Sequence, residues 1–347
     1  MTTQIRFPAE WEPQSAVLIA WPHSQTDWAD RLSCVESTYV ALVAAITRFQ
    51  KALILVPDNN LLQHARYLLL DAGVNLQRVH FEVLEYDDTW LRDSGPISLL
   101  EDNKFRLLDF HFTAWGGKFE ASRDDLIVRN LFKHDVFSNA VHQRIEFALE
   151  GGGIETDGQG TLLSTWHCLH ERHPELSREQ ITKKLETELH QSRTLWLDHG
   201  FLEGDDTDAH IDTLARFAST DTIIYQGCQD TEDSHYVELQ TMATELAAFK
   251  QSNGLPYRLF ELPWPKPILD NGRRLAASYA NFLIINGAVL MPAYGDVMDD
   301  NAADVMALAF PGRQIIQIPC RSLIWQNGSL HCITMQLPEG VVAGVVS

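Results

Sequence analysis

Apolar and polar positions along this chain follow two rhythms. Over Trp28 to Phe49, Leu32, Val35, Val40, Val43 and Ile46 recur at intervals close to a helical turn, which predicts one buried helical face. Ser177 followed by Gln180 is a capping box opening a helix to Leu189, and Glu238 to Phe249 reads as another. Between these lie short β-branched or aromatic runs that predict strands: Ala52 to Val56, Phe81 to Tyr86, Ile97 to Leu100, Thr222 to Gln226, Tyr257 to Leu262 and Gln314 to Ile318. Helices and strands alternate, so an α/β or mixed α+β class is expected.

A slower recurrence lies above this one. Polar clusters flanked by strand-like residues return five times: "WLRDSGPISLL", "ALEGGGIETDGQGTLLST", "DAHIDTLARFAST", "ASYANFLIINGAVLMP" and "QNGSLHCITMQLP". Asp93, Glu150, Asp212, Asn281 and Cys332 mark them, about 50 to 70 residues apart. Five comparable units are implied, and radial repetition would bring their polar clusters together near an axis. No low-complexity tract or Pro/Gly/Ser linker divides the chain, which predicts one domain over 1–347.

Composition narrows the class of function. The 347 residues are 45% hydrophobic, enough for a substantial core. Its 27 basic and 47 acidic side chains leave a formal charge of −20. That balance argues against nucleic acid or an anionic membrane as partner and suits a cationic ligand, although solubility alone accounts for an acidic surface. The start, MTTQIRFPAEWEPQ, places charges and prolines where an export signal needs an apolar run, so a cytoplasmic location is expected. Phe282 to Pro292, among the longest apolar stretches, falls short of the roughly 20 residues of a membrane span. Five scattered cysteines without a C-x-x-C pair indicate neither a disulfide framework nor a zinc knuckle, and most are expected to be buried and inert.

Several groups could carry chemistry. Cys332 follows an Asn-Gly turn and precedes an alternating run, so it is expected at a strand start with its sulfur facing a cleft. A free thiol titrates at about 8.5, so a nucleophile there needs a cationic neighbour or bound cation; position alone favours a buried structural cysteine. His210 and Asp212, two apart, lie on one face if the segment is extended, as an acid/base beside a carboxylate or as a strand-end His beside a surface acid. Around Trp90, Asp87, Asp88 and Asp93 offer carboxylates beside an indole, a receptor for a planar cation or simply turn caps. Glu150 precedes three glycines that allow close backbone approach. Neither a Walker loop nor a dinucleotide fingerprint is present, H-x-D alone is a poor metal motif, and the sequence points to no cofactor and no metal.

Together these clusters resemble the agmatine deiminase and bacterial peptidylarginine deiminase family of the guanidine-modifying pentein superfamily. The matching blocks are "EWEP" (10–13), "AWP" (20–22), "DDTWLRDSGP" (87–96), "AWGG" (114–117), "LEGGGIETDGQGTLL" (149–163), "DDTDAHIDTLARF" (205–217), "ASYANFLIINGAVLMPAYGD" (277–296) and "HCIT" (331–334). The resemblance implies a five-bladed αβ propeller with pseudo-fivefold symmetry. It implies Cys332 as nucleophile, His210 as acid/base, Asp93 and Asp212 as the carboxylates gripping a guanidinium, Glu150 beside the histidine and Trp90 against the substrate. Two carboxylates can clamp the N–H groups of a planar cation and present its carbon for attack. The expected reaction is hydrolysis of agmatine to N-carbamoylputrescine and ammonia, a step of putrescine synthesis, through a cysteine thiouronium. Asp206 is expected to receive the substrate's terminal ammonium, and Asp87 is expected among the substrate-binding residues.

The chain departs from the commonest agmatine deiminase pattern at Gln326-Asn327-Gly328-Ser329-Leu330, where Gly-Gly-Gly-Asn-Ile is typical, and at Met335, Ala209 and Ile154-Glu155. Peptidyl-arginine therefore stays open as a substrate. Two other readings are a non-catalytic guanidine-binding protein, which would not need the thiol, and a cysteine amidase, for which carboxylates replace the neutral donors of an oxyanion hole. Self-association into a homo-oligomer is left open.

Overall fold

The helical apolar spacing in the first long stretch is realised as Leu32–Ile46, which buries Val35, Tyr39, Leu42, Val43 and Ile46. The helix starts later than its pattern suggests, because Ala29–Arg31 forms a 3-10 turn ahead of it. In the capping box, the Ser177 hydroxyl accepts from the Gln180 N–H while Gln180 reaches back to the Ser177 N–H, opening Arg178–Glu188. These features belong to a computed structural model that describes residues 5–102 and 104–342.

Five of the six sheets among the described residues repeat one plan, the sixth being the small hairpin Leu269–Asp270 with Arg273–Arg274. Ile97–Glu101 pairs antiparallel with Lys104–His111, the chain passes through Ile127–Lys133, and Ala140–Ala148 returns parallel. Ile154–Thr156, Thr161–Thr165 and Arg193–Leu197 do the same around Arg178–Glu188. Ala215–Ser219, Thr222–Gln226 and Arg258–Leu262 follow around Tyr236–Ala248. Leu283–Ile285, Ala288–Ala293 and Gln314–Pro319 enclose Asp299–Ala309. The fifth sheet is assembled from both ends of the chain: Met335–Pro338 lies antiparallel to Gln14–Ala20, then Lys51–Val56 and Val79–Val83 add in parallel. A parallel return needs a long crossover, and the amphipathic helices supply it while covering one sheet face. The fold is mixed α/β. Among the described residues no helix is long and apolar enough to cross a membrane.

Two local expectations are corrected. His210 and Asp212 do not lie on an extended segment: Ile211–Thr213 is a 3-10 turn, closed by the Thr213 N–H and hydroxyl donating to the His210 carbonyl at 3.3 and 2.9 Å. Cys332 is not at a strand start. Thr334 turns its hydroxyl back onto the His331 and Leu330 carbonyls, at 2.9 and 3.3 Å, and the strand begins only at Met335. In both places a Thr offers the backbone a hydrogen-bonded turn that competes with the extended form. Cys34 is exposed, while Cys168, Cys228, Cys320 and Cys332 are buried, and none is in a disulfide.

Where the units meet, polar groups are buried in the interior. Arg216, fully buried, donates to Glu10 at 2.8 Å and also to Glu155 and the Phe282 carbonyl. Burial opposes the Glu10 charge, but Arg216, His331 and Arg92 hold its carboxyl well below the usual range. Replacing Arg216 by Met would take the direct ion-pair partner from Glu155 and leave Glu10 only His331 and the more distant Arg92. Such a loss costs about 3–5 kcal/mol, and urea unfolding of Arg216→Met is expected to show it; a change under about 1 kcal/mol would mean that the cluster is not a stabilising element.

Candidate active site

Four turns, each from a different unit, carry the predicted site residues. Asp93 sits in the short helix Leu91–Ser94, Glu150 immediately before the 3-10 turn Gly151–Gly153, His210 and Asp212 around Ile211–Thr213, and Cys332 in the turn before Met335. All five are at least 95% buried. Gly152 shows how tightly they converge. A Cβ there would stand 2.6 Å from His210 Nδ1, 2.8 Å from Asp93 Oδ1 and 3.2 Å from Asp212 Oδ2. Only a residue without a side chain lets the backbone pass between those groups.

Hydrogen bonds fix each carboxylate on one side. Asp93 accepts from the Gly152 N–H at 2.9 Å and from Trp115 Nε1 at 3.0 Å. Trp115 reaches it from a backbone in the left-handed region, φ 55°, a conformation costing about 1 kcal/mol in a non-glycine residue. Asp212 Oδ2 lies 2.8 Å from His331 Nδ1 and 3.9 Å from Cys332 Sγ, whereas Asp212 Oδ1 is buried with no hydrogen-bond partner. His210 stands between acids, Nδ1 3.7 Å from Asp93 and Nε2 3.5 Å from Glu150. Glu150 is held in turn by Arg172 Nε at 2.8 Å.

The charges are unbalanced in one direction. Burial pushes Asp93 up to about 6, against the opposing pull of His210. For His210, burial works against the charge, but facing Asp93, Cys168 and Glu150 hold the imidazole well above its usual value. Burial also drives the Cys332 thiol well up, and the Asp212 and Asp93 carboxylates add to the shift. Asp212 stays below the usual carboxylate range: burial opposes its charge, but the His331 hydrogen bond and charge outweigh it. The resting site is therefore a neutral thiol beside Asp212 and Asp93, whose charge the imidazolium of His210 does not offset at the sulfur.

Asp93 and Cys332 open onto a cavity of about 280 Å³, lined also by Trp90, Phe112, Trp115 and Asn327. Trp90 presents its ring there, braced by Trp28 at 5.6 Å and by Gly328, where a Cβ would collide with the indole. Asp27, Asp87, Asp88, Asp124 and Asp206 add carboxylates to the walls. Asp87 accepts from the Arg123 N–H at 2.8 Å, and Asp206 accepts from Asn327 Nδ2 at 2.7 Å. Burial raises Asp88 to about 7 and Asp124 to about 8. All eight predicted site residues thus border or underlie one pocket, with Asp87 and Asp206 in its walls.

Sequence reasoning missed four participants. In the sequence Asn281 only marks a unit, yet its Oδ1 accepts from the His331 N–H at 2.9 Å and lies 3.5 Å from Cys332 Sγ. Trp115 and His331 lie inside the blocks "AWGG" and "HCIT" without a signal for what they touch. Arg172 had none: it joins Glu150 to Asp208 and to the Thr207 carbonyl from a helix outside every motif. Ligand-type atoms of Glu150, Cys168 and His210, and separately of Glu10, Glu155 and His331, lie within 4.8 Å of one another. Arg172 is seated on the first group and Arg216 on the second, so arginines already supply the cation at each.

The chain is a member of the Porphyromonas-type peptidyl-arginine deiminase family, whose family model matches residues 6–338. Among relatives, the agmatine deiminase of Stutzerimonas stutzeri is 32% identical over 361 residues, 96% of each chain. A solved structure from Porphyromonas gingivalis superposes with a TM-score of 0.91 at 44% identity, covering 98% of this chain and 100% of that one. The agmatine deiminase of C. jejuni, solved as a cysteine-to-serine variant with substrate bound, gives 0.90 at 36% identity, covering 98% of both.

Two outcomes are expected. Gly152→Ala should push His210 and Asp93 apart and cut activity at least about a hundredfold, as an ångström-scale misplacement does; near-normal turnover would mean that the backbone can move aside. Asp93, Asp88 and Asp124 titrate above the unfolded carboxylate value of about 4. Their stabilisation is complete below that value and is lost as pH rises through about 6 to about 8. Scanning calorimetry of the ligand-free protein should show the melting temperature falling from about pH 5 to about pH 9; a rise would contradict this.

Proposed function

We propose that this protein is an agmatine deiminase, a hydrolase of the C–N bond of a linear amidine, producing N-carbamoylputrescine and ammonia. The observation that carries the reading is Asp212 Oδ1, a fully buried oxygen without a donor, on a carboxylate whose other oxygen lies 3.9 Å from the Cys332 thiol. A guanidinium supplies that donor: one edge meets Asp212, another meets Asp93, and the carbon faces the sulfur. Agmatine deiminases among the relatives, one of them with substrate bound, support the choice.

The reaction follows from the charge imbalance. As the cation enters, it offsets the carboxylates that keep Cys332 protonated, and the thiol proton leaves to solvent. The thiolate attacks the guanidine carbon, forming the C–S bond. His210, held as imidazolium by Asp93 and Glu150, protonates one amino group, which departs as ammonia and leaves a thiouronium cation. Neutral His210 then takes a proton from water, the hydroxide oxygen bonds to carbon, and the C–S bond breaks to return the thiolate. The ureido product keeps the new oxygen, and the remaining proton leaves with ammonia as ammonium. No cofactor is required by these steps.

The acid-lined walls support a second cationic group on the substrate. Asp206, positioned by Asn327, is the receptor proposed for the terminal ammonium, with Asp87 further along the wall. A peptidyl-arginine would bring neutral amides to those acids, although the family's name keeps that substrate as the second reading. The same proposal takes the chain as one catalytic domain whose five sheets are blades of an αβ propeller. The shared strand plan and the pairing of Met335–Pro338 with Gln14–Ala20, which joins the last unit to the first, support it.

Ammonia release should be measured with agmatine, arginine, a dimethylarginine and an arginine-containing peptide. Agmatine is expected to be preferred, and Cys332→Ala should abolish release; turnover by the purified variant would remove Cys332 from the mechanism. Asp206→Asn should raise KM for agmatine about tenfold with little change in kcat. Because a cation needs ionised Asp93, kcat/KM should fall as pH drops below about 6.

A further inference from the structure

His331, next to the proposed nucleophile, is fully buried and lines no part of the cavity that holds Cys332. Its two ring nitrogens each meet a carboxylate: Nδ1 is 2.8 Å from Asp212 Oδ2, and Nε2 is 2.8 Å from Glu10 Oε2. A neutral imidazole has one N–H and one bare lone pair, so two carboxylate partners are both satisfied only when both nitrogens carry hydrogen. Glu10 is itself anchored: its other oxygen accepts from the Ile284 N–H at 2.7 Å, and Arg216 donates to it at 2.8 Å. The backbone that carries the ring is fixed as well, with the His331 N–H donating to the Asn281 carbonyl and side-chain oxygen.

We infer that His331 is a positioning residue for the deimination reaction, orienting Asp212 so that its free oxygen meets the substrate guanidinium and keeping that carboxylate ionised. The device runs from Arg216 through Glu10 and His331 to Asp212, and it rests on the proposed role of Asp212 as a guanidinium clamp. It gives the N-terminal "EWEP" glutamate a function at a site it never touches. Without His331, Asp212 would face only His210, Cys332, Asp93 and the more distant Arg216. With burial unopposed by a direct donor, it would take up a proton at higher pH. The charged groups around His331 itself are Asp212, Glu10, Arg216, Glu155 and Arg92, whose Nε lies 3.5 Å from the His331 carbonyl.

The test compares His331→Ala, His331→Asn and His331→Gln in the full-length protein, measuring kcat and KM for agmatine across pH. An Asn amide nitrogen takes the place of Nδ1, and a Gln amide nitrogen that of Nε2. His331→Ala is expected to raise KM about tenfold or more and to move the acidic limb of kcat/KM up by about one pH unit. His331→Asn should return the limb close to its original position, whereas His331→Gln should not. Should the Ala variant fail to fold, the Asn and Gln variants decide the question between themselves. Equal losses in kcat for Asn and Gln, with KM and the limb unmoved, would make His331 a purely structural residue and overturn the inference. A wild-type protein that releases no ammonia from agmatine would instead refute the proposed function. Calorimetric agmatine binding by the same variants then reads the inference, with equal affinities overturning it.

Discussion

A guanidinium is already clamped inside this protein. Arg216, on the strand Ala215–Ser219, lies between Glu10, from the start of the chain, and Glu155, from the glycine-rich block. One fully buried cation thereby ties together three segments that are remote in sequence. Isolated buried charges are prohibitively costly, so once Arg216 is inside, both acids and His331 have little freedom in where they sit. The turns that carry Glu150, Asp212 and Cys332 are neighbours of those residues along the chain. The site therefore inherits its rigidity from an ion cluster that lies outside the lining of the Cys332 cavity.

The contrast between the two guanidinium environments explains the chemistry. Around Arg216 the charges cancel and the interior is at rest. On the pocket side Asp93, Asp88 and Asp124 are raised by burial, Cys332 is kept as a thiol, and Asp212 has an oxygen with nothing to accept. Each of those features is relieved by the same event, the arrival of a cation bearing several N–H donors. In the proposed reaction, substrate binding and thiol activation are consequently one electrostatic step, which keeps the cysteine unreactive until the carbon it attacks is in place.

Glycine and left-handed backbone set the geometry. At Gly152 the chain threads between His210 and two aspartates, and at Trp115 a positive φ aims the indole at Asp93. Ala209, where glycine is usual, also has a positive φ, 68°, so the local conformation is kept at some cost without the usual residue. Asn327 and Gly328 give the loop before Cys332 its own contacts, to Asp206 and Trp90. The unusual residues thus rebuild the pocket wall, while the groups proposed to face the guanidinium keep the family's residue types.

Much of this was legible in the linear order of residues. Apolar spacing predicted the alternation of helices and strands, because burying one face of an element imposes a period that any reader of the chain can see. Residue types and blocks marked Cys332, His210, Asp93, Asp212, Glu150 and Trp90, since few other side chains can hold a planar cation and attack its carbon. Tertiary structure alone decided the rest. That His210 and Asp212 share a 3-10 turn, that Asn281, Trp115, Arg172 and His331 complete the site, and that Glu10 supports it from the other side all depend on contacts between segments tens to hundreds of residues apart. Periodicity records which face of an element is buried but carries no information about which distant charge it will meet there, and in a buried site that meeting sets every protonation state.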